Sequence, residues 1–176
     1  MNVGENLYLN DTYTKKLECG ALRQSARNVT QRNKEKSMKV KLYRNATCPT
    51  RGTSDSAGLD LYATDDHCIW TGETVMIDTG VALDLPEDTF GMVVARSGLS
   101  TKQNLTLANG VGIIDCDYRN TIKVPLHNLG QGRQWIKKGD RIAQLVIVSY
   151  VPVELEVVDE LSDTERGMGG FGSTGR

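Results

Sequence analysis

From Lys39 onward, short aliphatic and β-branched segments are interrupted by Gly, Pro, Asp or Asn at intervals of roughly 8 to 12 residues. With almost no stretch long enough to sustain a helical period, a helical bundle is excluded and a fold of about ten short strands is expected. Val81, Leu83 and Leu85 alternate with Ala82 and Asp84. Leu85-Pro86-Glu87-Asp88 then turns the chain, and Phe90, Met92 and Val94 alternate again. Further strands are expected over 39–44, 58–63, 67–70, 74–78, 110–114, 121–126, 133–136 and 142–148, and Val153, Leu155 and Val157 alternate with Glu154 and Glu156 beyond them. The one helix expected is short, around Ser97 to Gln103. Such a set folds as an all-β sandwich, jelly roll or barrel.

A length of 176 residues suits one domain. Aromatic residues are only 6%, so the core must be built from Val, Ile and Leu. The most apolar run, Ile142 to Val148, is broken by Gln144 and falls far short of the ~20 residues a membrane span needs, so no membrane partner is expected. The start, MNVGENLYLN, lacks a basic stretch followed by an apolar block, so the expected location is the cytosol or nucleus and not the exterior. Cys19, Cys48, Cys68 and Cys116 form no Cys-x-x-Cys pair and have only His67 and His127 to join them; they read as reduced thiols.

The chain divides by character. Residues 1–37 carry seven basic and four acidic side chains without a strong apolar period, and residues 1–38 are expected to form a flexible N-terminal extension. Its charge is too modest for a nucleic-acid partner to be expected. Residues 39–163 form the β-core. Residues 164–176 are expected to form a glycine-rich C-terminal arm, since five glycines in the last ten residues cannot order themselves in isolation. That arm is either a frayed end or a strip whose bare backbone amides wrap an anion, with Phe171, Ser173 and Thr174 adding contacts.

Polar residues interrupt the apolar strands at four further places. In Ser56-Ala57-Gly58-Leu59-Asp60-Leu61, Asp60 is either the outward residue of an edge strand or a carboxylate aimed at a cation. Arg96, Ser97 and Gly98, directly after an apolar strand, can present a guanidinium fork, a hydroxyl and an amide to one phosphate. The run Asn109 to Val124 reads as a β-hairpin. In it Asp117 is the turn former and Asp115, at a strand end, the working carboxylate. Gln144, between Ala143 and Leu145, is either a satisfied core amide or a ligand contact. No Gly-x-x-x-x-Gly-Lys-Ser/Thr loop is present, and two histidines outside any motif support no Ser-His-Asp set. The remaining chemistry is a carboxylate-activated water attacking phosphorus, with magnesium neutralising charge.

SAGLDLYA, ARSGLS, NGVGIIDCDYRNTIKV, GDRIAQLVI and RGMGGFGSTG occur in that order. This set resembles the five motifs of the homotrimeric deoxyuridine triphosphatases (dUTPases), over about Lys39 to Arg176. The resemblance implies a jelly-roll fold, a homotrimer whose sites are shared between chains, and magnesium-dependent hydrolysis of dUTP to dUMP and pyrophosphate. By the same resemblance Asp60 contacts the magnesium hydration shell, and Arg96, Ser97, Gly98 and Gln144 bind phosphate. Asn109, Gly112, Ile113, Ile114 and Lys123 face uracil, Tyr118 packs on the deoxyribose, and Asp115 activates the water. Arg166, Gly172, Ser173 and Thr174 clamp the polyphosphate, and Phe171 stacks over uracil. Asn120 stands where the family usually has Gly, a substitution tolerable if the backbone there is left-handed. The related dCTP deaminases fit less well, since they would place a glutamate where this chain has Asp115.

Overall fold

The computed structural model describes residues 38–170. Residues 1–37 of the expected extension, and Phe171, Gly172, Ser173 and Thr174 of the expected arm, lie outside the described residues, whereas Met38 packs against the core. The described chain is an all-β, jelly-roll fold with one short helix: β1 (Lys39–Leu42), β2 (Thr50–Arg51), β3 (Leu59–Tyr62), β4 (His67–Ile69), β5 (Thr74–Asp78), β6 (Val81–Asp84), β7 (Thr89–Ala95), α1 (Ser97–Gln103), β8 (Leu105–Leu107), β9 (Gly112–Ile114), β10 (Lys123–Asn128), β11 (Gln134–Ile136) and β12 (Arg141–Ser149). Five strands form the largest sheet, in the order β2-β3-β12-β7-β9. A second sheet runs β5-β10-β8, and β1-β6 and β11-β4 pair separately. Every ladder is antiparallel.

The period-two pattern decides which side chains meet. Along β10, Val124, Leu126 and Asn128 turn inward while Lys123, Pro125 and His127 are more open. One apolar cluster collects side chains from all four sheets, including Leu61, Ile69, Ile77, Val81, Val93, Leu105, Leu126, Ile136 and Leu145. β12 lies at its centre between β3 and β7. Gly91 of β7 is required there, because a Cβ would meet Leu145 Cδ1 at 2.8 Å and Ile114 Cβ at 3.2 Å.

Two expectations are corrected. The strands on either side of Asp115 do not pair as a hairpin: β9 lies on β7, and β10 lies between β5 and β8. The turn between them forms as expected, with the Tyr118 amide donating to the Asp115 carbonyl at 3.1 Å. The Val153–Val157 alternation forms no strand; Val153, Leu155 and Val157 are 73%, 93% and 98% exposed, because no sheet edge in the described residues receives them.

Candidate functional site

Asp60 is buried although its neighbours Leu59 and Leu61 point to the other face of β3. β3 is flanked by β2 and β12, so Asp60 is not on an edge strand. Its Oδ1 accepts from Arg96 Nε at 3.1 Å and from Gln144 Nε2 at 3.2 Å, and its Oδ2 accepts from Arg141 Nη1 at 3.2 Å. Arg141 also receives Arg96 Nη1 on its carbonyl. Two guanidiniums and an amide thus converge on one carboxylate at the end of β7, where α1 begins.

A bulge makes this convergence possible. Residues 141 and 144 differ by three and would face opposite sides of a regular strand. The β12–β3 register shifts between Arg141 and Ala143, and this irregularity returns both side chains to Asp60. Sequence reasoning paired Asp60 with neither Arg96 nor Gln144 and missed Arg141, whose alignment depends on that shift. Ser97 and Gly98, in the first turn of α1, are exposed beside the cluster, and a Cβ on Gly98 would meet nothing within 4 Å.

Gly58 lies directly against Gln144: an added Cβ would stand 3.3 Å from Gln144 Cβ and 3.4 Å from its Nε2. Gly58→Ala is therefore expected to displace the amide from Asp60. A kcat/KM assay should register a loss of about threefold with an unchanged melting temperature, the scale of one modest hydrogen bond.

Asp115, Tyr118 and Lys123 occupy a different place. The register pairs Ile114 with Gly91, which sets Asp115 level with Phe90 at the start of β7, whereas Arg96 follows its end. Six residues of strand separate those levels, about 20 Å at the strand rise. Asp115 is exposed, and among the described residues no side chain bonds to its carboxylate. It opens onto a cavity of about 510 Å³ lined by Thr89, Phe90, Ile113, Cys116, Asp117 and Tyr150.

The rest of this second group lies on one stretch of chain. Gly110 turns the backbone at φ 69°, and Gly112 brings β9 close to β7: a Cβ there would meet Val93 at 3.1 Å and Asn109 Nδ2 at 3.6 Å. Ile113 points outward and Ile114 packs against the core. β9 ends its sheet, so among the described residues the backbone edge of Gly112 to Ile114 opposite β7 has no strand on it. The exposed Lys123 opens β10 opposite Asp78. Asn120 does not adopt a left-handed backbone; its Oδ1 accepts from the Thr121 amide at 2.8 Å, so the absent glycine is not needed. Arg166 caps a separate turn, its Nε donating to the Gly169 carbonyl at 3.1 Å.

No group of three His, Cys, Asp or Glu able to hold a metal ion occurs among the described residues. A carboxylate has about four acceptor positions, and the contacts above occupy three of those on Asp60. One position on Oδ2 is left, which suits a water of a hydrated magnesium ion and not direct ligation. Among the described residues no helix is long and apolar enough to cross a membrane.

Comparison with known proteins shows the family. The dUTPase family model matches residues 44–175. The deoxyuridine 5'-triphosphate nucleotidohydrolase of Escherichia phage T5 is 44% identical over 146 residues, covering 78% of this chain and 98% of the phage protein. The mitochondrial human enzyme of that name is 45% identical over 137 residues, 78% of this chain and 54% of its own length, and the rat enzyme is 44% identical with 66% of its length covered. A solved structure of the Staphylococcus bacteriophage 80alpha dUTPase with dUpNHpp superposes with a TM-score of 0.76 at 32% identity, covering 81% of this chain and 100% of that one. A solved dUTPase mutant from phage phi11 of S. aureus, described for the coordination of a structural Mg(II) ion, has a TM-score of 0.68 at 27% identity, covering 72% and 99%. Matched by the family model over most of its length and by a phage relative over nearly all of that relative's, the chain belongs to the dUTPase family.

Proposed function

We propose that the chain hydrolyses dUTP to dUMP and pyrophosphate, in sites assembled from neighbouring copies of a homotrimer. One observation carries the shared site. Arg96 follows one end of β7 and Asp115 is level with the other, about 20 Å apart along the strand, which exceeds the length of a triphosphate. A single chain cannot put its own Asp115 beside a phosphate held by its own Arg96. The exposed Val153, Leu155 and Val157 support assembly as well, since an extended segment with alternating apolar residues and no partner among the described residues fits a surface of another copy.

Each residue then has a task. Arg96, set by Asp60, offers its guanidinium to the phosphates together with the Ser97 hydroxyl, the Gly98 amide and Gln144. The open edge of Gly112 to Ile114, with Asn109 and Lys123, reads the polar edge of uracil. The methyl of thymine finds no room, and cytosine presents the wrong donor pattern. Tyr118 packs on the deoxyribose and crowds out a 2′-hydroxyl. Asp115 from another chain orients a water and takes its proton. The oxygen attacks the α-phosphorus, the bond from that phosphorus to the bridging oxygen breaks, and pyrophosphate leaves. Asp60 would hold a hydration water of a phosphate-bound magnesium ion, which would supply charge neutralisation. Arg166, Gly172, Ser173 and Thr174 close over the polyphosphate and Phe171 covers uracil, excluding water.

Pyrophosphate release measured with dUTP, dTTP, dCTP and UTP tests the reading. Turnover of dUTP alone is expected. No turnover of dUTP, or equal turnover of UTP, overturns it.

A further inference from the structure

The Tyr118 ring sits in a segment, 118–122, that belongs to no strand, yet the segment is fastened at two points. At one end Thr121 is buried, and its Oγ1 donates to Asp78 Oδ2 at 2.9 Å. The Thr121 carbonyl accepts from the Tyr118 hydroxyl at 3.1 Å. Asp78 is itself fixed, its Oδ1 accepting from the Gly80 amide at 2.8 Å. The next residue joins the sheet, the Ile122 amide donating to the Val81 carbonyl at 2.8 Å and its carbonyl accepting from the Thr79 amide at 3.1 Å. At the other end Arg119 Nη2 pairs with Asp84 Oδ1 at 2.8 Å, while its Nη1 donates to the carbonyls of Cys116 at 2.6 Å and Tyr118 at 3.3 Å.

The Ile122 backbone thus meets Val81 at one end of β6, and the Arg119 side chain reaches Asp84 at the other. The phenol is thus tied to a carbonyl whose own residue is tied to Asp78, and the carbonyl that follows the ring is tied through Arg119 to Asp84.

We propose that Thr121 and Arg119, anchored on Asp78 and Asp84, are positioning residues that fix the Tyr118 ring and thereby set selectivity against a ribose. This rests on the reading of Tyr118 as the wall beside the sugar. A steric filter discriminates only by the free energy needed to displace its wall. An exposed tyrosine with free side-chain torsions swings aside at small cost. A ring held at its phenol end and on both flanks of its backbone does not, and a 2′-hydroxyl meets a clash the substrate cannot relieve.

The ratio of kcat/KM for dUTP to that for UTP, measured on the full assembled protein, reads this directly. Thr121→Val keeps the shape and removes the hydroxyl; the ratio is expected to fall by about tenfold, the scale of one hydrogen bond to a charged group. Thr121→Ser, which keeps the hydroxyl, is expected to restore it, an outcome that loss of packing alone would not produce. If Thr121→Val does not assemble, Arg119→Met removes the exposed end of the brace and carries the same expectation. A wild-type ratio in the assembled variant, alongside a collapsed ratio in Tyr118→Ala, overturns the brace and leaves the reading of Tyr118 standing. A wild-type ratio in Tyr118→Ala as well overturns both.

Discussion

Asp115→Asn is expected to lower kcat for dUTP by about 1,000-fold while leaving the affinity for a non-hydrolysable dUTP analogue within about twofold, the pattern of a lost general base. The structure makes this substitution clean. Asp115 is exposed and its carboxylate bonds to no side chain among the described residues, so the isosteric amide disturbs no network. Single-turnover kinetics and calorimetric titration separate the two effects. Equal loss of binding and turnover would mean that Asp115 holds substrate and does not activate water.

The same variant tests the shared site. Co-expressed with Arg96→Ala at equal amounts, it is expected to give mixed trimers with about a quarter of wild-type activity, since one random site in four draws both intact groups from different chains. If each chain carried a complete site, the mixture would stay inactive.

Asp60→Ala is expected to be the most damaging single change at the other end of β7. Arg96 is 24% and Asp60 4% exposed in their side chains, so the deletion strands a partly buried guanidinium, and Arg141 and Gln144 lose the same acceptor. Removing one partner of such a cluster costs about 3 kcal/mol. The melting temperature should fall by about 6 to 12 °C at fixed protein concentration. Binding should fall together with activity, unlike in Asp115→Asn, because the side chains that Asp60 aligns lose their alignment. Differential scanning calorimetry together with dUTP titration checks both. A variant that melts normally would show that Arg96 and Arg141 find other acceptors.

The fold was legible wherever a strand was long enough to display its period. β6 and β7 alternate over several residues, β12 is the most apolar run in the chain, and the short helix after Arg96 follows an abrupt change of pattern. β2 was missed because two residues cannot show a period, and β8 offers only the single Leu105-Thr106-Leu107 alternation. The strands beside Asp115 were placed correctly but paired wrongly. A local turn suggests a local ladder, whereas β7 and β5 are long-range partners whose claim on those strands no neighbouring residue reveals. In the site, Asp115 stood out because a carboxylate ends an apolar strand. The burial of Asp60 and the part played by Arg141 did not, since both depend on a register shift between segments some 80 positions apart.

Among the described residues Val81 to Asp84 pairs with β1 on one side only, and on its other side the Val81 carbonyl is taken by the Ile122 amide of the segment that carries Tyr118. That segment therefore also blunts the Val81 end of this open strand edge against edge-to-edge pairing. A substitution that loosens it frees the Val81 carbonyl at that edge. Variants selected for broader nucleotide use at this loop should lose solubility before they lose catalysis, which couples the evolution of specificity here to colloidal behaviour.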